Sequence, residues 1–203
     1  MAVATGNRTE RILDSTCRVV ARRGAHALRM HDVAREAGVS NALLHYYFAT
    51  RTELLARAFA FAEARRNERI DAELESLGTG AERLRRFLLL YVAEQADLHE
   101  DWILWNEVWS SALFDEELRP AIESAYADWV NRIVELAREA SDDGSIDAVS
   151  DVDAAARRLA ALVDGLGSQR LVGLLDPAAA ERLLDQALAL ELGLAGTRFR
   201  TKP

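Results

Sequence analysis

No stretch of this chain alternates apolar and polar residues as a half-buried strand must; apolar residues return every three or four positions almost from end to end. Ala, Leu, Arg and Glu dominate, all strong helix formers. That pattern predicts an all-α chain of about nine helices. Half of the 203 residues are hydrophobic, enough for a real core, and Pro and Gly are too few for a disordered composition. A lone Cys17 cannot form an internal disulfide. No apolar run approaches the roughly 18 residues of a membrane span, and Met1 to Asn7 lack a charged-then-apolar leader pattern. The expectation is a soluble, cytoplasmic protein that does not engage a membrane.

The breaks place the helices. The first is expected over Thr9 to Arg23, capped by Thr9, with Ile12, Leu13, Cys17, Val20 and Ala21 as its stripe and Gly24 closing it. A short helix over Met30 to Ala37 ends at Gly38. Ser40 caps the next, which runs to Phe48. Thr50 and Glu53 form a capping box for a long helix reaching Leu77. After Gly78-Thr79-Gly80, helices are expected over 81–98, 101–113 and 120–140. A loop rich in Asp, Gly and Ser spans 141–150. Two helices follow, over 152–175 and 177–192, the last with Asp176 as cap and Pro177 in its first turn, before a frayed tail from Gly193. A break near residue 50 divides a compact head, 1–50, from a larger body, 51–203.

The segment Met30 to Phe48 carries the chemistry. Two short helices meet at a tight turn. Ala34 is small enough for close packing, Gly38 permits the positive φ a turn needs, and Val39 plugs the core beneath. This is the design of a helix-turn-helix, whose second helix lies in the major groove of a duplex. That helix starts with Ser40, Asn41, Ala42 and Leu43. Asn pairs with adenine in bidentate fashion, and Ala or Leu can touch a thymine methyl. His45, Tyr46 and Tyr47 bring polar-tipped rings within reach of phosphates. Arg51 sits in the first turn of the following helix, where a cation opposes the helix dipole unless an outside anion rewards it. Leu44 and Phe48 are expected to be core. Charge agrees: residues 1–50 hold seven Arg against four carboxylates, net +3, while the rest holds 18 basic and 29 acidic groups, net −11. A basic head could face phosphates while the acidic body is repelled by them.

The string Val33-Ala34, Ala37-Gly38-Val39-Ser40, Tyr46-Tyr47-Phe48 and Leu54-Leu55 resembles the TetR family of bacterial repressors over about the first 60 residues. The resemblance implies nine helices, a dimer through the last two, an effector cavity in the body, and effector binding that spreads the two DNA heads. By position it implies that Asn41, Ala42 and Leu43 face bases and that Tyr47 and Arg51 hold phosphates. The family usually has Thr at 29 and Tyr at 45. Here Arg29 can still meet a phosphate, while His45 lacks the hydroxyl contact and would make binding weakly pH-dependent. Arg51 keeps the charge of the family's frequent Lys.

In the body, Trp102, Trp105 and Trp109 share one helix face with Asn106 and Leu113. Such rings would line a cavity for an apolar or cationic effector, or serve as ordinary core; the residues leave both readings open. Trp105-Asn106-Glu107-Val108-Trp109 followed by Asp164-Gly165-Leu166 resembles the subgroup containing the choline-responsive repressor of betaine synthesis. Glu107 points off the Trp face, against a simple aromatic cage. The last two helices carry Leu159, Leu162, Val163 and Leu166, then Leu183, Leu184, Ala187 and Leu188. Small residues at Ala155, Ala156, Ala160, Gly165 and Gly167 permit close approach. So much apolar surface predicts a two-fold four-helix interface in a homodimer, which would also pair two recognition helices on a palindrome.

These features point to a ligand-responsive DNA-binding transcriptional regulator, a repressor released from a palindromic operator on double-stranded DNA by a small molecule. The chain is equally silent on activation. An enzyme is disfavoured: the four His (His26, His31, His45, His99) lack metal spacing, and no phosphate loop, nucleophile elbow or Cys-His pair occurs. No cofactor is expected. His99-Glu100-Asp101 reads as a solvated helix junction. The alternative is a helical ligand-binding or scaffold protein that does not bind DNA.

Overall fold

The computed structural model describes residues 2–92, 96–147 and 150–192, and the side chains of all these but 2–7 and 96–99. Its elements are α1 (Ala2–Arg23), a 3-10 turn η1 (Ala25–Ala27), α2 (Met30–Ala37), α3 (Asn41–Tyr47), α4 (Arg51–Leu74), α5 (Gly80–Val92), α6 (Ala96–Ala112), α7 (Arg119–Asp142), α8 (Val152–Leu171) and α9 (Pro177–Glu191). The all-α expectation holds, with nine α-helices among the described residues. Met1 and the tail from Gly193 lie outside them.

Two compact units divide the chain. One comprises residues 1–69 and 95–127, the other 70–94 and 128–203, so α4 and α7 each contribute to both. In the first unit α1 packs on α2 and α6, and α6 also meets η1. Its core joins Ile12, Val20, Leu28, Val33, Leu44, Phe48, Leu54, Phe59, Leu104 and Val108, all buried. Burying a side chain of this size stabilises by about 1.5–3 kcal/mol.

Four details depart from expectation. Thr9 does not cap α1, which starts seven residues earlier at Ala2; a hydroxyl that could cap is equally able to sit within a helix. Two polar residues join the α1 stripe, Ser15 and Thr16, both fully buried. Thr16 can do so because its Oγ1 donates to the Ile12 carbonyl at 2.8 Å, and Ser15 Oγ accepts from Arg18 at 3.0 Å. α5 stops at Val92 and α6 starts at Ala96, so residues 99–101 are helical instead of forming a junction. Asp101 explains its own position, accepting from Arg69 Nη2 at 2.6 Å; the His99 side chain lies outside the described residues. Lastly, α4 ends at Leu74 and α8 at Leu171, each a turn earlier than expected.

Cys17 is half-buried in the first unit. Its thiol donates to the Ala58 carbonyl at 3.4 Å, and burial, aided by Asp14 and Asp101, pushes it up to about 12.

In the second unit α5 packs against both α8 and α9, which also pack on each other. Leu159, Val163, Leu166, Leu184 and Leu188 are at most 3 % exposed within the single chain. Much of the apolar surface that predicted an interface is therefore already buried within the single chain. What remains outward is Leu183, Leu190, Val172 and Leu174, with Leu162 and Ala187 half-buried. Ala155, Ala156, Ala160 and Gly167 are buried, but Gly165 faces open space.

Candidate nucleic-acid interface

The turn between α2 and α3 is built by backbone geometry that one residue type supplies. Gly38 adopts φ 63°, ψ 38°, the left-handed region that costs a side-chain-bearing residue about 1 kcal/mol or more. The Gly38 N–H donates to the Arg35 carbonyl at 3.2 Å and the Val39 N–H to Ala34 at 2.9 Å, the paired bonds of a Schellman C-cap. Val39, half-buried, packs against the core below. Ser40 then starts α3, its Oγ accepting from the Leu43 N–H at 3.1 Å. Thr50 Oγ1 likewise accepts from Glu53 N at 3.0 Å. The reciprocal bond from Glu53 reaches the Ala49 N–H, not that of Thr50.

α3 has two clean faces. Leu44 and Phe48 are fully buried, while Ser40, Asn41, Ala42, His45 and Tyr46 are exposed, Tyr46 at 81 %. Leu43 and Tyr47 are half-buried at the border. Tyr46 and Tyr47 meet edge to face at 5.3 Å, which steadies the rings while leaving the Tyr46 tip outward.

The arginines divide into committed and uncommitted groups. Arg18 and Arg22 engage Glu36, while Arg23 and Arg35 engage Asp32. The net +3 of the head is thus not spread over all seven. Arg29, exposed, donates to the carbonyls of His26 and Leu28 at 3.2 Å each, neutral partners that leave its charge uncancelled. Arg51 is half-buried and donates from Nη2 to the Ala25 carbonyl at 2.8 Å. Arg57 was not singled out from the sequence. It reaches back from α4 to the end of α3, stacking 4.6 Å over the Phe48 ring and donating to the Tyr47 carbonyl at 3.3 Å. Its only sequence signal is a position six residues after Arg51, two turns away and not on the same stripe.

On α6 the tryptophans do not share one environment. Trp105 is 7 % exposed, 5.5 Å from the Phe59 ring and 6.0 Å from Trp109. Trp109 is 41 % exposed and meets Tyr126 at 5.6 Å. Trp102 is half-buried against the core. Asn106 Nδ2 donates to the Trp102 carbonyl one turn back at 2.9 Å, leaving its oxygen as the free polar end. Leu113, expected on this face, is 65 % exposed. Beneath Trp105, Arg66 is buried and paired with Glu63, whose carboxyl burial pushes up to about 7 against the pull of Arg66. A cleft of about 430 Å³ lies between α1, α4 and α6, lined among others by Asp14, Cys17, Arg65, Arg69, Asp101 and Leu104; the tryptophans do not line it. Glu107, off the Trp face as its spacing requires, accepts from the Ala25 N–H at 2.6 Å. That contact was missed because nothing in a local pattern announces a partner 82 residues away. No helix among the described residues is long and apolar enough to cross a membrane.

Residues 12–58 match the family described as bacterial regulatory proteins, tetR family, and residues 80–193 the family described as BetI-type transcriptional repressor, C-terminal. The chain is 29% identical over 172 residues, 84% of this chain and 80% of its relative, to the HTH-type transcriptional regulator PksA of Bacillus subtilis (strain 168). It is 31% identical to a TetR-family transcriptional regulator from Rhodococcus sp., with a TM-score of 0.81 over 92% of this chain and 99% of the other. It is also 31% identical to a transcriptional regulator from Saccharomonospora viridis solved in complex with choline, with a TM-score of 0.83 over 92% and 98% of the two chains.

Proposed function

The chain belongs to the TetR family of bacterial transcriptional regulators, with a helix-turn-helix and a BetI-type C-terminal region, and from that premise we propose how it works. It is a cytoplasmic homodimeric repressor that holds a palindromic operator through its heads, residues 1–50, and lets go when the body, 51–203, takes up a small molecule. The observation that carries this reading is the split of α3. Leu44 and Phe48 are sealed into the core, while Asn41, Ala42, His45 and Tyr46 project from the same two turns.

Asn41, Ala42 and Leu43 read base edges, with Asn41 suited to adenine. Ser40, His45, Tyr46, Tyr47, Arg29 and Arg51 serve the backbone, where contacts fix register without reading sequence. The two-fold axis runs beside α8 and α9, where Leu183 and Leu190 remain outward. The effector is apolar or cationic and is felt through Trp102, Trp105, Asn106 and Trp109. The choline bound by the S. viridis regulator supports a quaternary ammonium, since such cations favour aromatic faces. The chain acts by binding and performs no chemistry of its own.

Band-shift titration against random duplex and against a palindrome from the region upstream of the gene tests the reading. A sequence-selective shift that weakens steeply with salt is expected. No shift even at low salt would leave a helical ligand-binding or scaffold protein.

A further inference from the structure

One residue in the head is held on both sides of its Cα by side chains from different helices. Ala25, the first residue of η1, gives its N–H to Glu107 Oε2 of α6 at 2.6 Å, and its carbonyl accepts from Arg51 Nη2 of α4 at 2.8 Å. Ala25 itself is fully buried. The Arg51 Nε is also buried and has no partner among the described residues. With Nε enclosed and Nη2 committed to Ala25, Nη1 is the end of the guanidinium left for an outside anion.

The two bonds act on adjacent peptide groups that share the buried Ala25 Cα, so fixing the N–H on one side fixes the direction of the carbonyl on the other. The backbone is shaped to allow it. Gly24 adopts φ 79°, and a Cβ there would stand 3.1 Å from Glu107 Oε2 and 2.8 Å from His26 Nδ1. A side chain there would be strained at this φ and would press on the carboxylate that reaches Ala25.

We infer that Glu107 is a positioning residue for operator binding: by fixing the backbone at Ala25 it aims the Arg51 guanidinium at a backbone phosphate of the duplex. This rests on the reading of α3 and Arg51 as the DNA-facing surface. Glu107 touches no DNA and lies between Trp105 and Trp109 in sequence, so it acts only through Ala25 and Arg51.

The test uses the full chain and an operator duplex that the unaltered protein selects from a random pool, with affinity measured across salt concentrations. R51A should lower the slope of log affinity against log salt by about 0.9 per half-site, one phosphate contact. E107A should do the same without touching DNA, and weaken binding by about tenfold, the scale of a lost charge-assisted hydrogen bond. The double variant should bind no more weakly than R51A. Reach, not charge, should decide the conservative pair. E107D keeps the charge but withdraws the carboxylate by about 1.5 Å, and should behave as E107A. E107Q keeps an acceptor at the right distance and should stay within about threefold of the unaltered protein. An unchanged slope in E107A, or additive losses with R51A, overturns the inference. If E107A does not fold, equal slopes in E107D and E107Q overturn it. Failure of the unaltered protein to bind any duplex at low salt overturns the DNA-binding reading and the inference together, a result distinct from a bound duplex indifferent to residue 107.

Discussion

α3 and α6 each bring aromatic rings and an amide together within a few turns, yet the protein sets them in opposite ways. On α3 the division is sharp: Leu44 and Phe48 inward, Asn41, His45 and Tyr46 outward. On α6 one stripe grades from Trp105, sealed against Phe59 and above the Arg66–Glu63 pair, to Trp109, nearly half exposed. The α3 surface keeps its polar tips out and is held only from behind, while the α6 rings of Trp102 and Trp105 are woven into the core itself. The same residue types therefore carry different meanings, decided by what lies beneath them.

The comparison breaks most visibly under truncation of the inward rings. Phe48→Ala and Trp105→Ala should each cost about 3–5 kcal/mol in denaturant unfolding, because both leave a large cavity. A Trp105→Ala variant that unfolds at the unaltered midpoint would make that ring a binding surface and not core. Acidity sharpens the α6 side. The Glu63 carboxyl, raised to about 7 by burial, favours the folded state while protonated. Its contribution is full below its ordinary 4.5 and lost as pH rises through about 7, an effect on the order of 1–3 kcal/mol. Thermal melts at pH 5 and pH 8 should show that decline, and Glu63→Gln should flatten it. A decline of the same size in Glu63→Gln places its origin elsewhere. On the α3 side, Asn41→Ala should relax base choice at one position, narrowing discrimination there by about 1–3 kcal/mol in competition with single-base variants. Uniform weakening across those duplexes would remove Asn41 from base reading. Smallest of all, Tyr46→Ala should shift stability by no more than about 0.5 kcal/mol, as expected for a side chain this exposed. A larger loss from Tyr46→Ala would mean that ring is not free.

The head was legible because its signals are local. Gly38, Val39 and Ser40 specify a cap, a plug and a second cap within three residues, and α2 and α3 fall where those residues put them. The body was legible in its helix count but not in its allegiances. The stripes of α8 and α9 were readable, but nothing in either helix says that α5 packs on both and that Leu159, Val163, Leu184 and Leu188 are buried within one chain. Likewise Glu107 announced only that it points away from the tryptophans; its partner is a backbone N–H, which has no sequence identity to read. The break expected at residues 99–101 failed for a related reason, since charges that look solvated in isolation are drawn in by Arg69.

The half-buried thiol of Cys17 bears on how the protein meets oxidants. With its proton held up to about 12 and given to the Ala58 carbonyl, almost none of it exists as thiolate at neutral pH. Peroxide and electrophiles react through the thiolate, so this lone cysteine is a slow target for oxidation, whatever the helix-turn-helix beside it does.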